Sequence, residues 1–407
     1  MKATFFINAL MLTCSLLKAQ FKNDNVLYKT IDPFELCNAL QQSPGYVLLD
    51  VRSNPEYEDT TSFNMNYGRF KTAININVRE LGKRIHELDA YKNKPIFVYC
   101  SHSQRSRVAS KMLSDSGFTN INNINGGITS FHYLSVLNQP CVQHIYETKN
   151  SYHFISPVDL CKKLNSSPAT IFLLDVRSDS AFQHISRDDK ENALGAITGS
   201  INIPAETLEN KLSAIPHDKE IVITDIYGHD AAAAAKLLAE KGYKNTAVLT
   251  EGIDRWVSMN EATVPCKNSL YQSPVTYRLL PNFNFGDWVK EGKSYKLVDI
   301  RTAEEFNNQH KDKYRNIGRI KTAINIPTAE MESRWNELSA YKNEPVVLYG
   351  FGGGPEAFTA ANILIKKGFT NINILYDGIF SVRWTAGNVK GWSWLSGLVE
   401  NIPEENK

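Results

Sequence analysis

The sequence predicts an α/β protein of three tandem domains, each a parallel sheet with helices on both faces. Two observations predict this class. One ordered set of landmarks occurs three times along the chain, at intervals of about 110 to 125 residues, the usual size of a domain. Within each copy, short apolar segments alternate with segments of helical periodicity, as in sheets whose parallel strands are joined by helices. The chain of 407 residues is long enough for two or three domains.

The clearest repeat relates the first unit to the third. Three segments recur in the same order: Gly68–Ile76 as Gly318–Ile326, Ala90–Asn93 as Ala340–Asn343, and Gly117–Asn122 as Gly368–Asn373. The middle unit is more diverged but keeps the order, with Leu173–Arg177, Gly199–Pro204 and Gly242–Asn245. Repeats of this length predict domains that fold alike.

The first unit illustrates the elements of each copy. Val47–Val51 and Ile96–Tyr99 are apolar runs that suit strands buried on both faces. Arg107–Asp115 has helical periodicity and is followed by Gly117, a typical helix C-cap. Segments rich in Pro, Asn and Ser join the units. We therefore predict unit one at residues 26–140, unit two at 150–264 and unit three at 275–400.

The N-terminus has the pattern of a secretory signal peptide, at residues 1–19. Lys2 is followed by a nearly unbroken apolar run, and Ala19 precedes Gln20. A buried N-terminal helix is the alternative, and a lipid anchor at Cys14 is a minor one. No later stretch is apolar and long enough for a membrane span. We expect a periplasmic or secreted protein in an oxidising compartment.

Charge and histidine spacing exclude several function classes. The net charge is +2, and no dense block of Lys or Arg is present, so nucleic-acid binding is not expected. The nine histidines form no cluster with ligand spacing, and no CxxC pair occurs. We therefore predict neither a metal site nor a cofactor.

A strand-to-helix loop in unit one is the predicted site of catalysis. The second predicted strand runs into Cys100, and a helix follows a few residues later. Such a loop points backbone N–H groups inward and forms a nest for an anion. A cysteine there has a stabilised thiolate and is a ready nucleophile. The alternative is that Cys100 is a small buried hydrophobic residue at the end of a strand.

Arg105 supports the nucleophile hypothesis. A cation beside a helix N-terminus is unfavourable for the helix dipole unless it faces an anion, such as a thiolate or a thiosulfate-like donor. The remaining loop side chains are candidates for substrate binding: Ser101, His102, Ser103, Gln104 and Ser106. For His102, however, a side chain that points to solvent is the preferred interpretation, and the serines suit any turn.

These landmarks resemble the rhodanese superfamily over nearly the whole mature chain. The resemblance is carried by the Asp-Val-Arg strand end at Asp50, its counterparts at Asp175 and Asp299, the Gly-Ala-Ile-Asn-Ile-Pro-like strand, and the loop at Cys100. It implies three tandem rhodanese-like domains and a catalytic Cys100 whose sulfur is held by the loop backbone and Arg105.

Three features depart from the family pattern. The family loop usually has Gly at the position of Ser103 and often Arg at that of Ser101, so the donor preference is open. A stretch between Tyr57 and Gly68 is longer than usual.

Units two and three are predicted to be inactive. At the cysteine position unit two has Asp225 and unit three has Gly350. At the arginine position unit two has Asp230, so two carboxylates should repel an anion. We interpret both units as structural, or as surfaces for a protein partner.

Three functions compete. The preferred one is an exported sulfurtransferase that moves sulfane sulfur from thiosulfate or a persulfide, as a small anionic donor, to a thiol or cyanide-like acceptor through a Cys100 persulfide. The second is a binding scaffold without catalysis. The third is a phosphatase or arsenate reductase, whose loops hold one residue more between Cys and Arg than the four here.

Cysteine positions predict two disulfides. Cys37 and Cys161 occupy the same place on the first helix of units one and two, and Cys141 and Cys266 follow Pro140 and Pro265 after those units. Unit three lacks both cysteines. Paired presence and paired absence predict the bridges Cys37–Cys141 and Cys161–Cys266, which leave Cys100 as the free thiol. Four unconnected buried cysteines are the alternative.

Overall fold

The computed structural model describes residues 28–61 and 66–404. These residues form three α/β units in tandem, each with a five-stranded parallel sheet, so the predicted fold class is confirmed. The predicted signal peptide and Cys14 lie outside the described residues. Within the described ranges, no helix has the length and apolar character needed to cross a bilayer.

Unit one begins with an edge strand of its sheet and ends with a short strand that pairs with another short strand, outside that sheet. Its strands are β1 (Lys29–Ile31), β2 (Val47–Asp50), β3 (Arg69–Phe70), β4 (Ile74–Asn75), β5 (Ile96–Tyr99), β6 (Ile121–Ile124) and β7 (Tyr146–Glu147). Its helices are α1 (Leu36–Gln41), α2 (Asn54–Tyr57), α3 (Val78–Arg84), α4 (Gln104–Asp115), α5 (Gly127–Tyr133) and α6 (Pro140–Ile145), with 3₁₀ helices at Pro33–Glu35, Ile85–Tyr91 and Val136–Asn138.

Unit two repeats this order with fewer helices. Its strands are β8 (His153–Ile155), β9 (Ile171–Asp175), β10 (Ala196–Ile197), β11 (Ile201–Asn202), β12 (Glu220–Thr224), β13 (Thr246–Leu249) and β14 (Tyr271–Gln272). Its helices are α7 (Pro157–Ser166), α8 (Asp179–Phe182), α9 (Asp189–Ala193), α10 (His229–Glu240) and α11 (Gly252–Ser258), with 3₁₀ helices at Pro168–Thr170 and Ala205–Ala214.

Unit three has the same arrangement. Its strands are β15 (Arg278–Leu280), β16 (Lys296–Asp299), β17 (Arg319–Ile320), β18 (Ile324–Asn325), β19 (Val346–Tyr349), β20 (Ile372–Leu375) and β21 (Val399–Glu400). Its helices are α12 (Asn282–Lys290), α13 (Ala303–Phe306), α14 (Met331–Arg334), α15 (Glu356–Lys366) and α16 (Gly378–Asn388), with 3₁₀ helices at Lys313–Arg315, Thr328–Glu330, Trp335–Tyr341 and Ser393–Leu398.

The three sheets have equivalent strand orders. They are β1-β6-β5-β2-β4, β8-β13-β12-β9-β11 and β15-β20-β19-β16-β18. The central strands β5, β12 and β19 are almost entirely buried, as parallel strands covered on both faces must be. In each unit a short antiparallel pair, such as β3 with β7, joins the end of the unit to its middle.

The repeated Asp-x-Arg motif is a buried ion pair that fixes the next segment. In unit one, Arg52 contacts the carboxylate of Asp50 at 2.6 Å and donates to the carbonyl oxygen of Gly68 at 2.8 Å. The corresponding triplets are Arg177, Asp175 and Gly195 in unit two, and Arg301, Asp299 and Gly318 in unit three. A buried charge is tolerated only when it is paired. The motif that carried the resemblance is therefore structural.

The helix after the loop of unit one begins earlier than predicted. The sequence periodicity placed its start at Arg107, whereas α4 begins at Gln104. The reason is Ser103, whose left-handed backbone (φ 78°) turns the chain directly into the helix. Arg105 and Ser106 consequently lie in the first helical turn, next to Cys100.

The cysteines of units one and two are paired as predicted. Cys37 on α1 is bonded to Cys141 on α6, with 5.9 Å between the Cα atoms. Cys161 on α7 is bonded to Cys266, with 5.8 Å between the Cα atoms. Among the described residues, Cys100 is the free cysteine, and it is buried.

Candidate active site

Cys100 lies at the carboxyl end of the central strand of unit one. It follows β5 directly, at the edge of the sheet where ligands bind in folds of this kind. Its exposed fraction is 1%. The guanidinium groups of Arg105 and Arg107 are both close enough to interact electrostatically with its sulfur. The predicted nucleophile is therefore a buried thiol with two cations nearby.

The N-terminus of α5 holds the loop in shape. The N–H groups of Ile128 and Thr129 donate to the carbonyl oxygens of Cys100 and Ser101, at 2.8 and 3.2 Å. Gly127 makes this approach possible, because a Cβ atom there would lie 2.3 Å from both oxygens. With its carbonyls bound to α5, the loop can turn its N–H groups toward the inside.

Unit two shows what the amide-lined face of such a loop can hold. Asp225 stands at the cysteine position and is 4% exposed. One of its carboxylate oxygens accepts from the N–H of Gly228; the other accepts from Asp230 at 2.7 Å and Ala231 at 3.4 Å. Burial raises the pKa of Asp225, and these hydrogen bonds oppose the rise.

The position of this carboxylate bears on the interpretation of unit two. The sequence suggested that a carboxylate in the loop repels the anion that the loop should hold. The structure adds that the carboxylate of Asp225 is itself the anion that the amides bind, so it takes the place of an external anion.

The loops of units one and two share a left-handed turn before the helix. Each turns through one left-handed residue, Ser103 (φ 78°) or Gly228 (φ 95°), before its helix begins. The amides that bind Asp225 therefore correspond to those of Ser103, Arg105 and Ser106. In an α-helix the first N–H groups have no partner within the helix, so these positions favour an external anion.

Arg105 is held by a residue that the sequence analysis did not identify. Its guanidinium donates two hydrogen bonds of 2.7 Å to the carboxylate of Glu56 on α2 and one of 2.8 Å to the hydroxyl of Ser101. Burial raises the pKa of Glu56, but hydrogen bonds from Arg105 and Ser53 outweigh burial and lower the pKa to about 2. The sequence analysis expected Arg105 to face a thiolate or a thiosulfate-like donor. In the structure, the anion that pairs with Arg105 is the carboxylate of Glu56.

A sequence signal for Glu56 exists. Ser53 and Glu56 have the Ser-x-x-Glu spacing of a capping box, and the structure has that box at the start of α2. The spacing marks the helix start, but it does not indicate that the same carboxylate binds Arg105.

Arg107 is a second cation that the sequence analysis missed. Its guanidinium donates to the carbonyl oxygen of Gly387 near the end of α16, in unit three. Carbonyls in the last turn of a helix have no partner within the helix, and a cation is favourable there. Burial lowers the pKa of Arg107. Unit three therefore holds a side chain next to the candidate nucleophile.

His102 contacts unit two instead of pointing only to solvent. Its Nε2 lies 3.1 Å from the carboxylate of Glu251, which also accepts from Arg255 at 2.7 Å. Burial raises the pKa of Glu251, but Arg255 and His102 outweigh burial and lower the pKa to about 2. About half of the His102 side chain is exposed. The loop thus contacts unit two through His102, and the helix that follows it contacts unit three through Arg107.

The remaining candidates divide into two groups. Ser103 and Ser106 are fully buried, and the hydroxyl of Ser106 lies 3.6 Å from the sulfur of Cys100. Ser101 is partly buried beside Arg105, and Gln104 is exposed on the first turn of α4. The structure therefore brings Ser106 to the sulfur, while Gln104 faces outward.

The loop of unit three has a different chemical character. Gly350 stands at the cysteine position, and Phe351 stacks on the partly exposed ring of Phe380. Glu305 contacts Arg315 at 2.5 Å.

Across the described parts of the chain, no cluster of three or more His, Cys, Asp or Glu is arranged to bind a metal ion.

Comparison with known proteins places these features in a family. A family model described as the Rhodanese-like domain matches three times, at residues 34–133, 156–259 and 286–383. A tRNA uridine(34) hydroxylase from Cytophaga hutchinsonii is 34% identical over 106 residues, which are 25% of this chain and 31% of that protein. The chain thus spans about a third of the length of this curated relative.

Two solved structures are also similar. A thiosulfate sulfurtransferase from Pseudomonas aeruginosa is 17% identical, with 85% of this chain and 66% of that chain covered and a TM-score of 0.21. A rhodanese-related protein from Thermoplasma volcanium is 30% identical, with 26% of this chain and 90% of that chain covered and a TM-score of 0.21.

Proposed function

Since this chain belongs to the Rhodanese-like domain family in all three of its units, we propose that it is a sulfurtransferase with Cys100 as its nucleophile. It takes sulfane sulfur from thiosulfate or a persulfide and passes it to a thiol or cyanide-like acceptor. Units two and three carry no nucleophile at the loop start, where Asp225 and Gly350 stand, so the chemistry is assigned to unit one alone.

In the first half of the reaction, the thiolate of Cys100 attacks the outer sulfur of the donor. A bond forms between the two sulfur atoms, and the bond within the donor breaks. Its electron pair leaves with sulfite when the donor is thiosulfate, or with a thiolate when it is a persulfide. Cys100 then carries a persulfide whose terminal sulfur is negatively charged.

In the second half, the acceptor attacks that terminal sulfur. A bond forms between acceptor and sulfur, and the bond to Sγ breaks, so Cys100 returns to its thiolate form. A thiol acceptor leaves as a persulfide, and cyanide leaves as thiocyanate. The loop amides of Ser103, Arg105 and Ser106 stabilise the negative terminal sulfur between the two steps.

The observation that carries the proposal is the carboxylate of Asp225 in the equivalent loop. Its oxygens lie one bond beyond Cγ, as the terminal sulfur of a cysteine persulfide lies one bond beyond Sγ. Three backbone amides bind those oxygens. A loop of the same shape around Cys100 is therefore suited to an anion at the position of the persulfide sulfur.

The Glu56–Arg105 pair favours a persulfide over thiosulfate as donor. The carboxylate already neutralises the guanidinium with two hydrogen bonds. A dianion such as thiosulfate would have to compete with that carboxylate, whereas a singly charged persulfide can be held by the amides alone.

The test is persulfide formation on the full-length protein. After treatment with glutathione persulfide or thiosulfate, mass spectrometry should find one added sulfur on the peptide that contains Cys100. Cyanide should remove it as thiocyanate. Cys100→Ser should lose both signals, because no other residue is assigned as nucleophile. Unchanged thiocyanate formation by Cys100→Ser would contradict the proposal.

We further propose that the protein works outside the cytoplasm. The signal pattern at residues 1–19 supports export. The two disulfides support it as well, because such bonds persist in oxidising compartments.

A further inference from the structure

A buried polar pair lies behind Cys100, between α4 and β6. The sulfur of Cys100 is 3.6 Å from the hydroxyl oxygen of Ser106, and that oxygen is 2.6 Å from Oδ1 of Asn123. Ser106 and Asn123 are both fully buried. Buried polar side chains cost stability unless they are hydrogen-bonded, so a polar pair at this place needs an explanation.

The amide nitrogen of Asn123 has no hydrogen-bond acceptor among the described residues. The side-chain amide offers an acceptor and a donor on the same carbon, and half a turn about its last bond exchanges them. One orientation accepts from the hydroxyl of Ser106, and the other donates to it. The orphaned nitrogen is therefore a donor that a second state of the site can use.

The same pair is apolar in the two units without a cysteine. Counted back from the glycine that ends each helix (Gly117, Gly242 and Gly368), the position of Ser106 is an alanine in both units. On the strand, Asn123 pairs with Val98, two residues before Cys100, and its counterparts have the equivalent register. The counterparts are Ala231 and Val248 in unit two, and Ala357 and Ile374 in unit three.

The apolar counterparts in units two and three show that the Ser106–Asn123 pair is not needed for the fold. Alanine with valine or isoleucine fills the space between helix and strand in units two and three, so the fold does not require polar groups there. The polar pair accompanies the nucleophile.

We propose that Ser106 and Asn123 are positioning residues that form a reversible hydrogen-bond chain to Cys100. In the thiol form, the S–H donates to Ser106, whose hydroxyl donates to Asn123. When the proton of Cys100 passes to water, the hydroxyl turns to donate to the thiolate, and the rotated amide of Asn123 donates to Ser106. The pair thus stabilises the thiolate as a nucleophile. It also stabilises the thiolate as the leaving group in the second half of the reaction, a role that rests on the proposed function.

The two arginines near Cys100 do not supply this donor. Arg105 and Arg107 on α4 contribute positive charge, but Arg105 is paired with Glu56 and Arg107 donates to the carbonyl of Gly387. The hydroxyl of Ser106 also lies 3.1 Å from the carbonyl oxygen of Ser103, so this single proton has competing acceptors. When Asn123 donates to Ser106, its amide oxygen no longer competes for this proton, and the carbonyl oxygen of Ser103 is the acceptor that still competes with the sulfur.

The test is the rate at which iodoacetamide alkylates Cys100 in the oxidised full-length protein, measured against pH. Ser106→Ala and Asn123→Val should each move the midpoint of reactivity up by about one pH unit, the effect expected for one lost hydrogen bond to an ion. The double variant should move it no further than either single variant, because the two residues act as one chain. Ser110→Ala removes another buried hydroxyl from α4 and should leave the midpoint unchanged.

Two further measurements keep the inference separate from folding and from the proposed function. Ser106→Thr keeps the hydroxyl and should restore the wild-type midpoint; a shift equal to that of Ser106→Ala would overturn the inference. So would equal midpoints for Ser106→Ala and Ser110→Ala, or additive shifts in the double variant. The alkylation profile needs no sulfur donor, so it tests the chain even if the wild type transfers no sulfur.

Discussion

At the scale of single residues, the site is organised by carboxylates that hold cations. Glu56 binds Arg105 beside Cys100, and Glu251 binds Arg255 beside His102. Both carboxylates have pKa values near 2, because hydrogen bonds and neighbouring cations outweigh burial. These pairs make the surroundings of the thiol sensitive to acid.

Glu56→Gln should lower the stability of unit one in a pH-dependent way. The folded pKa of Glu56, about 2, lies below its ordinary value of 4.5. Its stabilisation is therefore present above pH 4.5 and is lost as the pH falls toward 2. We expect the variant to be less stable at pH 7 by on the order of 2 kcal/mol, and equal to the wild type near pH 2.

Unfolding in urea can be followed by the reaction of Cys100 with a pyridyl disulfide, which still reacts at acid pH. Glu80→Gln is the matched control, since its partner Arg84 is on the surface and such pairs contribute little. A loss of stability in Glu56→Gln that is the same at pH 7 and pH 2 would contradict the assignment.

A second prediction exchanges the anion in the loop of unit two. Asp225→Cys, made in the Cys100→Ser background, should accept one sulfur from glutathione persulfide. The loop amides that bind the Asp225 carboxylate are already in position to stabilise the persulfide. Turnover should be about a hundredfold or more below wild type, since Asp230 and Ala231 replace the cation and the hydroxyl of unit one. Mass spectrometry of the peptide with position 225 measures the sulfur.

Thr224→Cys in the same background is the control for that experiment. The hydroxyl of Thr224 faces the carbonyl of its neighbour and not the loop amides. Equal labelling at positions 224 and 225 would show that the nest does not favour a persulfide.

At the scale of elements, each unit ties its first helix to its last segment. Cys37 on α1 meets Cys141 on α6 in unit one. In unit three, Gly286 on α12 stands at the cysteine position, and a Cβ there would meet the ring of Trp392. An aromatic contact thus takes the place that a disulfide has in the other units.

Removing the bridge of unit one should destabilise that unit. Cys37→Ser with Cys141→Ser opens a loop of 104 residues, and we expect a loss of about 2–4 kcal/mol. Urea unfolding reported by Cys100 measures it. In the purified protein, non-reducing peptide mapping should find Cys37–Cys141, Cys161–Cys266 and a free Cys100. A bridge to Cys100, or four free thiols, would overturn the scheme.

At the scale of the whole molecule, each unit contacts the other two. Units one and two meet at His102 and Glu251, and units three and one meet at Arg107 and Gly387. Units two and three meet where the hydroxyl of Tyr376 donates to Asp254 at 2.6 Å. Units two and three therefore each hold a residue of the Cys100 loop or of the helix that follows it.

Glu251→Gln should loosen the loop of Cys100 from a distance. The variant lacks the charge that holds Arg255 and His102, so hydrogen exchange in residues 100–103 and at the start of α11 should become about tenfold faster. Glu240→Gln, on the exposed side of α10, is the control with the same substitution. Unchanged exchange in residues 100–103 would show that unit two does not order the loop.

The sequence by itself determined features written in neighbouring residues or in repeats. The three α/β units follow from the repeated landmarks, and the loop at Cys100 follows from a strand that runs into a helix. The cysteine pairs follow from their paired presence in units one and two and paired absence in unit three. These signals depend on local conformation and on comparison of the chain with itself.

Only the tertiary structure decided the partners of the loop side chains. Glu56 is 49 residues from Arg105, Glu251 is 149 from His102, and Gly387 is 280 from Arg107. Asn123 reaches Ser106 from a neighbouring strand. Such contacts depend on how elements pack, and no short-range pattern encodes them, because a charged or polar side chain has the same local signature whether its partner is water or a distant residue.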